Sequence, residues 1–363
     1  MGSAPTVDEP VRKRQLRSED LKVLVTGTEG YIGAVVPTVL VERGHEVVGV
    51  DVGFHKAGYL FHDPVAITPL TLPKDIRHLN EDDLVGVDAI VHMAELSNDP
   101  VGQLNPEITY EINHKGSLHL ARLAQRVGIE RFVYTSSCSV YGIATEATVD
   151  ESSATNPQTA YAVCKTLVER DVGAMAGDEF TPTFLRNATA YGASPRMRFD
   201  IVLNNLSGLA WTTGQIRMES DGSPWRPFVH IRDIARSIAC ALEAPREVVH
   251  NEIFNVGNSR ANYQIREIAE IVGGEFPDCS VTLAPGGGPD TRSYRVSFDK
   301  INDLLPGFSC DWDAELGARE LHGIFERIAM TAQDFEWRGF TRLKQIEYLT
   351  ETGQLDGGFF WTV

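Results

Sequence analysis

The sequence predicts an α/β fold: a doubly wound parallel sheet followed by a smaller C-terminal region. Apolar runs typical of buried strands alternate with stretches long enough for amphipathic helices. A glycine-rich turn joins the first apolar run to the first helix. From about residue 191 the chain changes to shorter elements separated by proline- and glycine-rich loops. Ligands of such sheets bind beyond the carboxyl ends of the strands, so we expect the functional residues there.

The elements are predicted from their hydrophobic pattern and length. Strands are expected around Val23 and Val47, at Ala89–His92, and at residues 132–135 and 183–185. Helices are expected at residues 31–43, 106–127 and 161–176, with two more in residues 314–355 that are separated near residues 337–340. Three regions follow: a flexible tail (1–20), a mainly dinucleotide-binding region (21–190) and a mainly substrate-binding region (191–363), with some strands interleaved.

The first predicted strand runs directly into Gly27, Gly30 and Gly33, spaced three residues apart. Gly27 can take dihedral angles closed to other residues, Gly30 lets phosphate oxygens approach the backbone, and Gly33 lets the next helix pack on its strand. The helix start also offers unpaired N–H groups to an anion. The second strand ends on Asp51, and an acid there accepts hydrogen bonds from the adenosine ribose and disfavours a 2′-phosphate. The sequence therefore favours a Rossmann-type site for NAD and not a glycine turn that binds no ligand.

The composition narrows the class of protein. With 363 residues, 42% of them apolar, the chain can bury an ample core in one large or two ordinary domains. A net charge of −17 argues against nucleic acid or an anionic membrane as the main partner. No apolar run approaches the roughly 18 residues of a membrane span, so we expect a soluble cytoplasmic protein. The five scattered cysteines lack a C-x-x-C spacing, which predicts reduced thiols and no metal site.

A candidate catalytic group follows the fifth strand. Ser136 and Ser137 come at its end, and Tyr161 and Lys165 lie one helical turn apart further along the chain. The pKa of a free tyrosine is about 10, but a neighbouring ammonium and an oxidised nicotinamide both favour the phenolate. Tyr161 could then exchange a proton with an alcohol while Ser137 orients the same oxygen and Lys165 bonds the nicotinamide ribose. The Tyr-x-x-x-Lys spacing alone also suits an ordinary surface helix, but its place after a dinucleotide turn favours catalysis.

With these motifs, residues 22–305 resemble the extended short-chain dehydrogenase/reductase family, specifically its NAD-dependent nucleotide-sugar epimerase/dehydratase branch. Further matching segments are Asp75-Ile76, His92-Met93-Ala94, Asn113, Tyr141-Gly142 and residues 226–233. The resemblance implies that the catalytic residues are Ser137, Tyr161 and Lys165. It implies cofactor contacts from Gly27, Gly30, Tyr31, Ile32, Gly33, Asp51, Asp75, Ile76, Met93, Ala94, Asn113, Ser136, Tyr161 and Lys165. It implies substrate contacts from Ser137, Cys138, Ser139, Thr189, Arg226 and Arg292, the two arginines holding a nucleoside diphosphate.

The resemblance also implies a first step in which a nucleotide-linked hexose is oxidised at C4. Dehydratases of the family carry Asp-Glu where this chain has Cys138-Ser139, and decarboxylases tend to place Glu at the second position. The absence of this pair favours a 4-epimerase over a 4,6-dehydratase, a decarboxylase or a 4-ketoreductase. A Cys138 thiolate could act at C5, although a packed thiol is the favoured interpretation. A non-enzymatic NAD-binding scaffold or sensor is the contrasting hypothesis.

Two positions depart from the family pattern. Thr189 stands where an asparagine is usual, and Asp200 stands where a helix commonly begins with asparagine. A carboxylate at position 200 would repel a diphosphate unless Arg196 or Arg198 compensates for it. The base and the sugar of the substrate therefore stay open.

Three further expectations concern the scaffold. Asp233 is expected to cap a helix that starts at Ile234. The resemblance implies that the helices at residues 106–127 and 161–176 pair across a two-fold axis in a homodimer. Glu95 follows the fourth strand but has no partner that the sequence identifies.

Overall fold

A computed structural model of the protein describes residues 20–143, 146–285 and 293–362. The strands, numbered along the chain, are β1 (Lys22–Thr26), β2 (Glu46–Asp51), β3 (Leu70–Pro73), β4 (Ala89–His92), β5 (Arg131–Ser137), β6 (Thr181–Asn187), β7 (Thr189–Tyr191), β8 (Gln215–Met218), β9 (Trp225–His230), β10 (Glu252–Val256), β11 (Asn262–Gln264) and β12 (Ser280–Leu283). Seven of them form one sheet in the order β10-β6-β5-β4-β1-β2-β3, with every pairing parallel.

The α-helices separate these strands. They are α1 (Val36–Glu42), α2 (Asp99–Leu104), α3 (Pro106–Thr109), α4 (Ser117–Arg126), α5 (Ala160–Gly173), α6 (Val202–Thr213), α7 (Ile231–Glu243), α8 (Arg246–Val249), α9 (Ile265–Glu275), α10 (Asp299–Leu304), α11 (Ala314–Ile328), α12 (Ala332–Glu336) and α13 (Arg342–Glu351). Single 3₁₀ turns lie at Ile76–His78, Glu81–Leu84, Cys138–Tyr141 and Arg338–Phe340.

Helices cover both faces of the large sheet, and β1 shows why. Val23 and Val25 point into a core with α1 and α7, whereas Leu24 points into a second core with α4 and α5. A strand covered on both faces must be apolar throughout, because successive side chains point to opposite sides. The predicted doubly wound parallel sheet is confirmed.

The first helix begins later than predicted. Residues 31–35 form successive turns, and α1 starts only at Val36. Pro37 has no N–H to donate to the carbonyl of Gly33, so a regular helix cannot run from the glycine turn through this position. The predicted helix at residues 106–127 is likewise not uniform, because a π-helical turn at Tyr110–Gly116 joins α3 to α4.

The second half of the chain builds a third core beside the sheet. Strands β7, β9 and β11 form a small sheet, and β8 pairs with β12. Helices α6, α9 and α11 pack around Phe199, Leu203 and Phe325. The strand β10 returns to the edge of the large sheet, so the two halves share that sheet.

The C-terminal helices pack on the body as expected, but their boundary is more complex. Helix α11 ends where Ala329 takes the left-handed conformation (φ 49°), and α12 and a 3₁₀ turn precede α13. Asp233 does not cap α7, which corrects the expectation. His230 accepts the capping bond from Arg232 N, while the buried Asp233 carboxylate accepts hydrogen bonds from the amides of Asp311 and Trp312.

None of the helices in the described ranges has the length and apolar character needed to cross a membrane.

Candidate active site

A cavity of about 900 Å³ opens beyond the carboxyl ends of β1, β2, β4, β5 and β6. A volume of this order suits a small-molecule site. The sequence-predicted residues that line it are Gly27, Gly30, Tyr31, Ile32, Gly33, Asp51, Asp75, Ile76, Met93, Ala94, Ser136, Ser137, Cys138, Ser139, Tyr161, Lys165, Thr189 and Arg226. Asn113 is not among the lining residues, and Arg292 lies outside the described residues.

The glycine turn forms one wall of the cavity. Gly27 has a φ of +83°, and its amide donates to the carbonyl of Val50 on the neighbouring strand. A Cβ atom on Gly33 would lie 1.9 Å from the Gly27 carbonyl oxygen, so only glycine fits there. The backbone is consequently folded tightly enough for a ligand to approach it directly.

Tyr31, Ile32 and Gly33 line this wall, and the described residues provide no hydrogen-bond acceptor for their amides. Consecutive free N–H groups form a concave anion site. This arrangement fits the diphosphate of a dinucleotide and does not depend on a long helix, because the regular helix starts only at Val36.

Asp51 lies at the end of β2 beside the turn. Its carboxylate accepts hydrogen bonds from the amides of Glu29 (2.9 Å) and Gly53 (2.7 Å). Burial raises the pKa of Asp51, and these two bonds oppose the rise. Further along the same wall, the Asp75 carboxylate is paired with Arg77 (2.7 Å), so its side chain already has a partner.

The residues that follow β4 are held in place by hydrogen bonds to Thr26 on the neighbouring strand β1. Thr26 Oγ1 accepts hydrogen bonds from the amides of Met93 and Ala94, and it lies 2.7 Å from Nδ1 of His92. Burial and the positive charge of Lys165 lower the pKa of His92 to about 3, so this histidine is a neutral structural group. The wall beside the glycine turn is therefore rigid.

Asn113 was expected to contact the cofactor, but it lies fully buried behind this wall. Its side-chain oxygen accepts from the amide of Leu96 and its nitrogen donates to the Leu96 carbonyl. Both polar ends are used, so Asn113 positions the loop after β4 and does not reach the cavity.

The proposed catalytic side chains converge where β5 ends against α5. The Ser137 hydroxyl interacts with the phenol of Tyr161, and Lys165 Nζ lies 5.5 Å from the Tyr161 ring centre. The Lys165 ammonium also donates to the Thr135 carbonyl at 2.5 Å. Strand and helix together hold the three groups on one wall of the cavity.

Glu95 is the neighbour that sequence reasoning left without a partner. Its carboxylate lies 2.6 Å from Lys165 Nζ and accepts a short hydrogen bond from Tyr134. Burial raises the pKa of Tyr161; Lys165 and Ser137 lower it, whereas Glu95 and Asp99 raise it further. Burial lowers the pKa of Lys165, but Glu95 and Tyr161 outweigh burial and raise it overall. The lysine therefore acts on the tyrosine in the predicted direction, and Glu95 opposes it.

A second buried ion pair lies beneath the cavity, at the ends of β5 and β6, and we call this part the floor. Arg186 contacts both carboxylate oxygens of Glu169, at 2.9 and 2.7 Å, and the Ser136 hydroxyl donates to the same carboxylate at 2.5 Å. Ser136 lines the cavity, but its hydroxyl is thus engaged with the protein.

Cys138 and Ser139 line the cavity just beyond the end of β5. The Cys138 thiol is fully buried, donates to the Arg186 carbonyl at 3.2 Å, and has a pKa that burial raises well above its usual range. It is therefore a neutral, packed group and not a base. The Ser139 hydroxyl and the side-chain oxygen of Asn187 are enclosed without a hydrogen-bond partner in the described part of the chain, and both residues line the cavity. These orphaned groups are suited to a polar ligand.

Neighbouring side chains compensate for the negative charge of Asp200, which would otherwise repel an anionic ligand in the cavity. Arg198 Nε donates to its carboxylate at 2.8 Å, and Asn98 donates to it at 2.9 Å. Arg196 instead pairs with Glu29. The Arg226 guanidinium lies 5.4 Å from the Tyr294 ring centre at the far end of the cavity.

The cavity residues that sequence reasoning did not assign include Glu95, His55 and Arg342. For Glu95 a signal existed, because an acid just after a buried strand of a doubly wound sheet lies at the ligand edge. The same signal applies to His55, four residues after the end of β2, but for Arg342 the sequence holds none, since it reaches the cavity through the packing of the C-terminal segment.

The chain is similar in sequence and in fold to known enzymes that act on nucleotide sugars. The UDP-glucose 4-epimerase of Corynebacterium glutamicum is 27% identical over 304 residues, covering 78% of this chain and 90% of the relative. UDP-glucuronic acid decarboxylase 1 of Arabidopsis thaliana is 28% identical over 321 residues, covering 83% and 68%. A solved dTDP-glucose 4,6-dehydratase of Streptomyces venezuelae, with NAD bound, has the same fold, with a TM-score of 0.73 at 24% identity over 86% of this chain and all of that one.

The family model described as the NAD dependent epimerase/dehydratase family matches residues 23–257, which include the glycine turn, the end of β5 and helix α5. This match spans more than half of the chain. The chain is therefore an enzyme of the NAD-dependent epimerase/dehydratase family.

Proposed function

We propose that the protein is a nucleotide-sugar 4-epimerase that acts through a transient 4-keto sugar. The observation that carries the proposal is that Ser137, Tyr161 and Lys165 line the cavity beside Cys138 and Ser139, two positions without a carboxyl group. When bound, NAD supplies reversible hydride transfer at the sugar carbon.

The chain's own residues supply the proton chemistry. Tyr161 takes the proton of the sugar hydroxyl and later returns it, while Ser137 holds the sugar oxygen by a hydrogen bond. Lys165 stabilises the phenolate that exists between these two transfers. Because one group serves both directions, epimerisation needs no further acid and base. A protonated Cys138 thiol and a serine hydroxyl suit this reaction better than the elimination of water.

The proposed substrate is a nucleoside-diphosphate sugar, supported by the names of the relatives. Arg226 and Arg292 would hold the diphosphate, and Thr189 and Ser139 would contact the sugar. The proposal also assigns a role to each region: residues 21–190 mainly bind the cofactor, and residues 191–363 mainly bind the substrate.

Product analysis tests the proposal. Incubation with UDP-, dTDP-, GDP- and CDP-hexoses should give a C4 epimer of one of them without net NADH formation. A 4-keto-6-deoxy sugar would identify a dehydratase, and stoichiometric NADH would identify an oxidoreductase. In a parallel incubation with a nucleotide-linked uronic acid, a pentose with CO₂ would identify a decarboxylase.

The proposal also includes a cytoplasmic homodimer. Helices α3, α4 and α5 would form its interface, where the apolar side chains of Ile108, Val163 and Leu167 are only half-buried in the single chain. Light scattering should give twice the mass of the 363-residue chain, and a monomer would contradict this part of the proposal.

A further inference from the structure

The C-terminal end of the chain, outside the family match, crosses the cofactor end of the cavity. We call residues 341–362 the C-terminal strap. Gln345 donates to the carbonyl of Phe54, and Trp361 Nε1 donates to the carbonyl of Val52, both in the loop after Asp51. The strap is therefore attached to the loop where the adenosine end of a dinucleotide is expected.

The start of the strap is attached on the opposite side of the cavity. The amide of Arg342 donates to the Asp200 carboxylate at 3.1 Å, and the preceding Phe340 accepts from the amide of Phe199 at 2.9 Å. The strap thus bridges the β2 loop and the segment that leads into α6.

Arg342 is the residue of the strap that lines this cavity. It is only 3% exposed, yet across the described ranges no hydrogen-bond acceptor or carboxylate contacts its guanidinium group. A buried cation without a partner is unfavourable unless an anion compensates for it. Burial and the nearby charge of Arg198 lower the pKa of Arg342 to about 9, so it is still protonated at neutral pH.

His55 is a second unsatisfied group on the same wall. Its Nδ1 atom is enclosed and has no hydrogen-bond partner in the described residues. Burial, with the charges of Arg342 and Arg198, lowers the pKa of the ring, so His55 is neutral and can share a hydrogen bond with a ligand. Two independent polar groups therefore point to a ligand at one place.

The position of Arg342 identifies the part of the ligand. Its helix is attached through Gln345 to Phe54, three residues after Asp51 at the ribose end. Its own amide donates to Asp200, which Asn98 also bonds, and the next residue, Asp99, accepts a hydrogen bond from Thr159, two residues before Tyr161 at the reacting end. Between these two ends of a dinucleotide lies the diphosphate. The free amides of residues 31–33 line the same cavity.

We infer that Arg342 binds the cofactor diphosphate from the side opposite the glycine turn, with His55 beside it, so that the C-terminal strap encloses NAD as a resident cofactor. The inference rests on the cofactor and not on which sugar reaction follows. A nucleoside-diphosphate substrate carries the same chemistry, so the experiment must distinguish the two diphosphates.

The test compares Arg342→Met with Lys344→Met, an exposed charge on the same helix that does not line the cavity. Titration calorimetry on nucleotide-free protein measures the affinities for ADP-ribose, adenosine and UDP. We expect Arg342→Met to weaken the binding of ADP-ribose about 10- to 100-fold and to leave the affinities for adenosine and UDP unchanged. The NAD retained per chain after gel filtration should fall in the same variant, and Lys344→Met should match the native protein throughout.

Three binding results would overturn the inference: unchanged ADP-ribose binding, an equal loss of adenosine binding, or a selective loss of UDP binding, which would assign Arg342 to the substrate. Melting temperatures separate a binding role from a structural one. Removing an unpaired buried charge should leave the nucleotide-free protein at least as stable as the native one, while the stabilisation by saturating NAD should shrink. A nucleotide-free variant that melts lower would mean that the charge supports the fold and not the ligand.

Discussion

The two ends of the cavity are built in different ways. The glycine-turn end is made mainly of backbone, within residues 27–33, with the acids Glu29 and Asp51 beside it. The reacting end is made of side chains from β5, α5, β9 and the loop after β4, which are far apart in the chain. Backbone sites depend on local glycine geometry, whereas side-chain sites depend on the packing of distant elements.

The ends also differ in how they handle charge. At the glycine turn the cavity is lined by neutral amides and by the Arg342 guanidinium, whereas the reacting end and its floor contain the buried pairs Lys165–Glu95 and Arg186–Glu169. Removing one partner of such a pair leaves an uncompensated charge. We therefore expect substitutions at the reacting end to change rates and pH dependence, and substitutions at the turn to change cofactor content.

The largest effect is expected for Tyr161→Phe. Loss of the phenolic proton acceptor should lower kcat about 10²- to 10⁴-fold, as for other general bases. The NAD bound per chain, measured after denaturation, should stay close to the native value. Substantial remaining turnover would remove Tyr161 from the mechanism.

Gly33→Ala should produce the opposite pattern. The added Cβ would lie 1.9 Å from the Gly27 carbonyl oxygen, so the turn must open, at a cost of about 1–3 kcal/mol in unfolding free energy. We expect bound NAD to be lost and the melting temperature to fall. Gly274→Ala is the matched control, because its Cβ would meet nothing within 4 Å and its helix should be slightly stabilised. Full NAD content in Gly33→Ala would contradict the site.

Arg226→Met tests the substrate half alone. Losing a charged contact to a diphosphate should raise KM for the accepted nucleotide sugar about 10- to 100-fold, with kcat and NAD content little changed. Equal KM values in the variant and native protein would show that Arg226 does not contact the substrate.

The smallest effect on turnover is expected for Glu95→Gln. The Glu95 carboxylate raises the pKa of Tyr161 and opposes Lys165, so its removal should lower that pKa. Because Tyr161 acts as a base when deprotonated, the rising limb of kcat/KM should move to lower pH. A shift to higher pH would mean that Glu95 assists the phenolate through Lys165, and Asp99→Asn provides a comparison with the other nearby carboxylate.

Prediction from sequence succeeded where the determinants are local. The alternation of apolar runs predicted the parallel sheet, and the glycine spacing together with Asp51 predicted residues that line the cavity. It failed where one residue interrupts a pattern, as Pro37 does in the first helix, and it could not show which polar side chains the fold would occupy with partners of their own. Asn113 binds the backbone of Leu96, and the Ser136 hydroxyl binds Glu169, so neither offers that group to a ligand.

By itself, therefore, the sequence determined the fold, the family and the cofactor, because strand periodicity and glycine conformation act over a few neighbouring residues. Only the tertiary structure decided that Glu95 neutralises Lys165, that Cys138 is a buried neutral thiol, and that Arg342 reaches the cavity from the C-terminal strap. These outcomes depend on burial and on charges from distant segments, and neither quantity exists until the chain has packed.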